Sequence, residues 1–255
     1  VIAAYGAHSD NYASGFMVGL YDAGAKATFT QRYNFLDLEH FTDYLPESTK
    51  RKKKKKQDKK EKQGKELEID YLMQLHQVKQ LPDNKFLVAG EFYYPTYRTE
   101  YYTTYTNGRA VTSTRQVFDG FQYTHSLLAV FDETGQKVWS NIFPMFLDQK
   151  PFIARKNLRI TVEGEQITCM FANYKSIVST TFENGEILKE RNRETVLTEK
   201  LGETIRAASG TDIVFWYPKH YLTSGYQKIK SEEKDKNGKK RRRVFFMTDV
   251  VYEVE

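Results

Sequence analysis

Short apolar runs separated by turn-forming residues recur along most of this chain. Eight runs have the length and composition of β-strands, and they span 16–21, 85–92, 126–131, 137–143, 159–162, 166–172, 177–182 and 186–189. Clusters rich in Gly, Asn and Asp favour tight hairpins because these residues accept positive φ, and they lie at 22–24, 83–84, 107–108, 132–135, 163–164, 184–185 and 237–238. The pattern predicts an all-β, mainly antiparallel fold.

A weak internal repeat refines this prediction. Residues 15–24, 126–135 and, more loosely, 176–185 each contain an apolar strand, an acidic residue and a Gly turn. Repeated units of this kind favour a β-propeller or partial propeller of about four blades over a sandwich, within one domain over 1–255. The blade-like units are 1–35, 69–145, 157–198 and 205–255. Either this is a small propeller or the chain is part of a longer one, and a start inside a strand favours the second alternative.

Two segments depart from the strand pattern. The first is an insertion over 36–66. Leu38, Phe41 and Leu45 are apolar at helical spacing and predict a short docked helix. A Lys-rich helical arm follows, and the two predicted helices lie near 36–63. The stretch 92–118 is too long for one blade strand. Its turn signal at 107–108 predicts a protruding hairpin with Tyr and Thr on its faces.

This hairpin carries the candidate binding residues. They are Tyr93, Tyr94, Tyr97, Arg98, Tyr101, Tyr102, Tyr105 and Arg109, with Tyr123 and His125 beside it. Tyr and Arg are enriched among the residues that dominate binding energies, which favours an interaction surface. The alternative is a self-packed hairpin whose rings cover a neighbouring blade.

The positive charge is confined to two segments. Segment 50–65 holds eleven Lys or Arg against two acidic residues, and segment 228–243 holds nine against three. The rest of the chain has nineteen basic and 28 acidic residues, so the β body itself is mildly acidic. A nucleic-acid-binding domain usually carries its basic residues on one face of the fold, among aromatic or polar residues that read the bases. The two basic segments of this chain do not follow that pattern.

The two basic segments are interpreted differently. The arm with Lys52, Lys53, Lys54, Lys55 and Lys56 is a solvated helix face, a contact with an anionic membrane surface, or a non-specific nucleic-acid contact. Because the arm contains no aromatic residue, base stacking is disfavoured and nucleic acid is the weakest of the three. The cluster Arg241, Arg242 and Arg243 precedes a strand, whose edge it protects from aggregation.

The sequence offers little catalytic chemistry. The five histidines lie more than four residues apart, and no phosphate-binding loop, nucleophile elbow or zinc-protease motif is present. We therefore predict no cofactor, no metal site and no catalytic residue. Cys169, the single cysteine, lies in an apolar strand and is predicted to be a buried structural thiol.

Several unusual strings together resemble a known group. They lie at 34–46, 91–100, 117–125, 224–230 and 244–246. They are similar to an uncharacterised group of Bacteroidota cell-envelope proteins with propeller-like repeats. The resemblance implies an exported protein of the periplasm or outer membrane and transfers no catalytic residue, and it leaves the cytoplasm open as an alternative.

These observations lead to one expected function and two rivals. We expect a non-enzymatic binding or scaffold domain of the envelope that binds a protein partner through propeller faces and the Tyr-rich hairpin. The first rival is an envelope hydrolase that acts on glycan or peptide in a propeller funnel. The weaker rival binds nucleic acid through the basic arms.

Overall fold

The computed structural model of the protein describes residues 1–6, 12–21, 24, 26–64, 67, 69–196, 198, 202–232, 238 and 240–252. In chain order its strands are β1 (Ile2–Tyr5), β2 (Tyr12–Ala13), β3 (Gly15–Tyr21), β4 (Ala27–Asn34), β5 (Tyr71–Leu75), β6 (Lys79–Gln80), β7 (Phe86–Thr106), β8 (Arg109–Phe131), β9 (Lys137–Pro144), β10 (Arg159–Glu163), β11 (Gln166–Asn173), β12 (Ser176–Glu183), β13 (Glu186–Thr195), β14 (Thr204–Tyr217), β15 (His220–Lys230) and β16 (Arg241–Val251).

These strands form four antiparallel sheets, which confirms the all-β prediction. Sheet A has the order β1-β3-β4, sheet C the order β10-β11-β12-β13, and sheet D the order β14-β15-β16. Sheet B has the order β2-β5-β7-β8-β9, and β6 also pairs with β7. Within the described residues β1 pairs only with β3 and β16 only with β15, so the first and last strands do not close a ring by sharing a sheet.

The sheets pack face to face in chain order, with an apolar layer at each junction. Phe16 of sheet A packs with Phe92 and Leu127 of sheet B, and Leu128 on the other face of β8 packs with Phe171 of sheet C. A smaller layer joins sheets C and D. Successive side chains of a strand point to opposite faces, so burial of sheet B on both faces explains the continuous apolar run at the end of β8.

The three repeat copies occupy equivalent places in three sheets. They include β3, the end of β8 and β12, each of which is followed by a turn into the edge strand of its own sheet. The contacts are equivalent as well. The Tyr33 hydroxyl of β4 donates to the Gly135 carbonyl at 2.8 Å, and the Asn141 side-chain amide of β9 donates to the Gly185 carbonyl at 2.8 Å. In both cases an edge strand is tied to the turn of the next sheet.

The insertion differs from the predicted pair of helices. A single 3-10 turn, Phe35–Asp37, is followed by turns, and the α-helix predicted from the apolar stripe does not form although Leu38 and Phe41 are buried. Both side chains pack in the apolar layer between sheets A and B, and this packing does not require a helical backbone. Helix α1 (Glu47–Glu61) then forms the Lys-rich arm.

The arm is docked along one side and is not wholly solvated. The Lys53 ammonium donates to the Tyr71 hydroxyl at 2.7 Å and lies 5.1 Å from the ring centroid. One turn later, the Gln57 amide donates to Asp37 at 3.0 Å. A spacing of four residues places Lys53 and Gln57 on the same helix face, which therefore lies against the body.

Several smaller predictions can be compared with the structure. The turns at 107–108 and 184–185 have positive φ at both residues, as the type I′ hairpin turn requires. The predicted turns at 22–24 and 237–238 lie partly outside the described residues.

Cys169 is confirmed as a buried free thiol, and burial raises its pKa. No helix in the described part of the chain is long and apolar enough to cross a membrane.

Candidate functional site

Strands β7 and β8 extend well beyond sheet B as a two-stranded hairpin. Neighbouring strands pair with β7 only as far as Tyr93 and with β8 only from His125 onward, whereas β7 and β8 pair with each other up to Thr106 and Arg109. In the described structure the two outer edges of the hairpin tip therefore have no strand beside them. The segment 96–119 is called the tip below, and the part within sheet B is called the root.

Three tyrosines share one face of the tip. Tyr97, Tyr101 and Tyr105 are four residues apart, and their side chains are 60%, 75% and 77% exposed. At about 3.4 Å per residue in antiparallel strands the rings are about 14 Å apart, so the row is about 27 Å long. Small polar residues separate the rings, and Thr99 accepts a hydrogen bond from the Gln116 amide at 3.0 Å. We call this row the tyrosine face.

The opposite face of the tip carries ion pairs. Arg115 donates from Nε and Nη2 to Glu100 Oε2 at 3.1 and 2.9 Å, and Arg98 donates to Glu100 Oε1 at 2.8 Å. These two guanidinium groups lower the pKa of Glu100. Tyr102 and Arg109 also point to this face, by the alternation of the strands. The structure thus places Tyr97, Tyr101 and Tyr105 on one face and the candidate arginines with Tyr102 on the other, whereas the sequence analysis had grouped them as one surface.

The other predicted tyrosines lie at the root. Tyr93 and Tyr123 are buried, and their rings stack with centroids 5.1 Å apart. The Tyr123 hydroxyl donates to the Arg155 carbonyl at 2.6 Å and accepts from the Arg155 N–H at 2.8 Å. Burial raises the pKa of Tyr123 to about 12. Tyr94 is half exposed at the point where the tip begins. Tyr93 and Tyr123 are thus structural residues that fix the base of the hairpin.

A chain of aromatic rings connects the root with the tyrosine face. Tyr93 contacts Phe121 with ring centroids 5.2 Å apart, and Phe121 contacts Phe118 at 5.0 Å. Phe118 in turn contacts Tyr97 at 6.0 Å and Phe152 at 5.8 Å. The tyrosine face therefore adjoins a set of packed rings, and the contact with Phe118 holds Tyr97 in a defined orientation.

Glu91 is a second root residue, and the sequence analysis did not identify it. Its side chain is fully buried and accepts from His76 Nε2 at 2.6 Å. It also accepts from the backbone N–H groups of Asn157 at 3.0 Å and Leu158 at 2.9 Å. This carboxylate ties the linker between sheets B and C to the base of the hairpin. Because its oxygens are occupied by these donors, its role is structural.

His125 lies among aromatic rings at the same root. It stacks between Phe92, at 4.8 Å, and Tyr44, at 3.9 Å, and its Nδ1 bonds the Thr124 hydroxyl at 2.9 Å. Its Nε2 is buried and has no hydrogen-bond partner among the residues that the structure describes. Burial, with a smaller effect from the charge of Lys53, lowers the pKa of His125 to about 3. The imidazole is therefore neutral at ordinary pH and serves as a packing group.

The two basic segments have different surroundings. On α1, Lys52, Lys54, Lys55 and Lys56 are exposed, whereas Lys53 is half buried and burial lowers its pKa. On β16, Arg241 and Arg243 are exposed on one face of sheet D. Arg242 points to the other face and donates to Glu203 at 2.6 Å.

The described residues contain no group of three or more His, Cys, Asp or Glu side chains arranged to hold a metal ion. Comparisons of the chain with protein-family models, with curated proteins and with solved structures found no match. The functional interpretation therefore rests on the geometry of the exposed surfaces.

Proposed function

We propose that this chain is a non-enzymatic binding domain that binds a partner protein through the tyrosine face of its hairpin. The observation that supports this most strongly is the exposure of Tyr97, Tyr101 and Tyr105 in one row. A Tyr side chain loses little conformational entropy on binding and offers a large contact area with a polar end, so such rings form strong binding contacts.

The anchoring of the hairpin also supports the proposal. A surface that is ordered before binding loses less free energy when the complex forms. Tyr123, Glu91 and the linker bonds fix the root, and the Lys150 ammonium donates to Asp119 at 2.9 Å where the tip begins. The three rings therefore lie on a two-stranded ribbon that is anchored at its base. A groove about 27 Å long on the partner protein would accommodate them.

The same proposal includes the larger architecture. We propose that the four sheets are successive blades of a propeller-type arrangement, because each packs on the next and because the Gly135 and Gly185 contacts repeat. An experimental structure in which successive sheets are related by similar rotations about one axis would support this. A stack without such an axis would contradict it.

The bacterial cell envelope is the proposed compartment, on the sequence resemblance alone. Fractionation of cells that express the natural protein tests this point. Recovery with periplasm or outer membrane is expected, and recovery with the cytoplasm would remove the compartment from the proposal without affecting the hairpin.

A photo-crosslinking experiment tests the binding surface. A photoreactive amino acid replaces Tyr101 on the tyrosine face in one protein and Thr104 on the opposite face in a matched control. Irradiation in cells is expected to join one specific protein to position 101 and not to position 104. Equal crosslinking from both faces, or none from either, would be evidence against the proposal.

A further inference from the structure

The outward face of sheet D combines basic and aromatic side chains. Gln227 and Ile229 of β15 are buried and point towards sheet C, so Tyr226, Lys228 and Lys230, which alternate with them, point away from it. The register places Tyr226 opposite Phe245, Lys228 opposite Arg243, and Lys230 opposite Arg241. These six residues define what we call the aromatic-basic face.

The positive charges on this face lie opposite one another on neighbouring strands. In the part of the chain that the structure describes, no ion pair involves Lys228, Arg241 or Arg243, whereas Arg242 on the other face pairs with Glu203. Like charges directly opposite each other on neighbouring strands destabilise a sheet. Arg206 adds a further cation to a concavity of about 500 Å³ at this end of the sheet. The arrangement is complementary to an anionic ligand.

The aromatic side chains beside these cations are accessible. Phe245 is 60% exposed and Tyr226 45%, with ring centroids 5.5 Å apart. The Arg243 guanidinium lies 4.6 Å from the Tyr226 ring centroid. Protection of a strand edge requires the charges alone, and exposed rings beside them would work against it. A ligand that carries both phosphates and planar rings would use the whole face.

We propose that the aromatic-basic face binds single-stranded nucleic acid. Phosphates would contact Lys228, Arg241 and Arg243, and bases would stack on Tyr226 and Phe245, as in sequence-tolerant single-strand binding. The sequence analysis disfavoured nucleic acid because the Lys-rich arm has no aromatic residue. The sheet register places two aromatic residues beside the second basic segment, Tyr226 on β15 and Phe245 on β16. The inference does not depend on the hairpin.

Fluorescence anisotropy with a labelled oligo(dT) of twenty nucleotides tests this on the full chain. Replacing Tyr226 or Phe245 with Ala should weaken binding by about 5-fold to 150-fold for each ring removed. Replacing Arg241 and Arg243 with Gln should weaken it further and reduce the slope of log affinity against log salt by about 0.7 for each lost phosphate contact. Circular dichroism and sedimentation check that each variant is folded and in the same oligomeric state.

Matched controls and a second ligand make the outcome decisive. Tyr21→Ala, at an exposed tyrosine on sheet A, and the double variant Lys79→Gln, Lys156→Gln should leave the affinity unchanged. Inorganic polyphosphate of equal charge should compete weakly because it has no rings to stack. No binding at low salt, equal competition by polyphosphate, or wild-type affinity in Tyr226→Ala and Phe245→Ala would overturn the proposal.

Discussion

The root and the tip of the β7–β8 hairpin have similar aromatic content and opposite environments. At the root Tyr123 is completely buried and its hydroxyl has two backbone partners. At the tip Tyr101 is 75% exposed. The same residue type therefore stabilises the fold in one place and is available to a ligand in the other. Substitutions in the two regions should affect different measurements.

The largest effect is expected from Tyr123→Ala at the root. Loss of a buried aromatic ring should reduce the free energy of unfolding by about 3–5 kcal/mol. Tyr123→Phe keeps the ring and removes the hydroxyl, so the Arg155 N–H loses its acceptor and the expected loss is about 1–3 kcal/mol. Chemical denaturation measures both values. Equal losses for the two variants would mean that the hydroxyl, and not the ring, dominates.

Glu91→Gln should have the next largest effect. The substitution keeps the volume but removes the charge that accepts from His76, Asn157 and Leu158, and hydrogen bonds to a charged group contribute about 1.5–3 kcal/mol. We expect the free energy of unfolding to fall by about 2–3 kcal/mol. Hydrogen exchange should also rise at residues 157 and 158, and unchanged exchange there would show that the linker is held by other contacts.

His125 makes the root sensitive to acid. The unfolded chain binds a proton at this residue near pH 6.5, and the folded chain does so only near pH 3. Between these values the unfolded state binds more protons, so stability falls as the pH falls, by at most about 1.4 kcal/mol per pH unit. His125→Phe should remove this part of the pH dependence. A variant with the wild-type slope between pH 6 and 4 would contradict the assignment.

The smallest effect is expected from Glu100→Gln at the tip. Glu100 bonds Arg98 and Arg115 in an exposed network, and exposed ion pairs contribute little to stability. The free energy of unfolding should stay close to the wild-type value, and any difference should shrink in high salt because exposed charges are screened. A loss as large as that of Glu91→Gln would remove the distinction between root and tip.

The sequence predicted the strands more accurately than the role of each side chain. Apolar runs and Gly turns were sufficient to locate most strands because both signals are local. The even spacing of Tyr97, Tyr101 and Tyr105 also predicts one shared face. Register shifts after Phe92 and after Pro95 interrupt the alternation of the two faces along the strand. The face on which a root residue lies can therefore not be inferred from its spacing to these tyrosines.

The long-range partners could not be predicted. An acidic residue within an apolar strand, such as Glu91, was a signal of a buried contact. Its partners at Asn157 and Leu158 lie more than sixty residues away in the chain. The ring of Tyr226 beside Arg243 was likewise hidden, because only the pairing of β15 with β16 brings the two residues together. Docking of Lys53 on Tyr71 depends on the same kind of tertiary contact.

The central claim is that the tyrosine face binds a partner and contributes little to folding. The most direct test measures both properties for the triple variant Tyr97→Ser, Tyr101→Ser, Tyr105→Ser, using the partner identified by photo-crosslinking. We predict a free energy of unfolding within about 1 kcal/mol of wild type, as expected for exposed positions, and at least a hundredfold loss of affinity, because binding-site tyrosines often contribute about 2 kcal/mol or more each. A destabilised variant with unchanged affinity would contradict the claim.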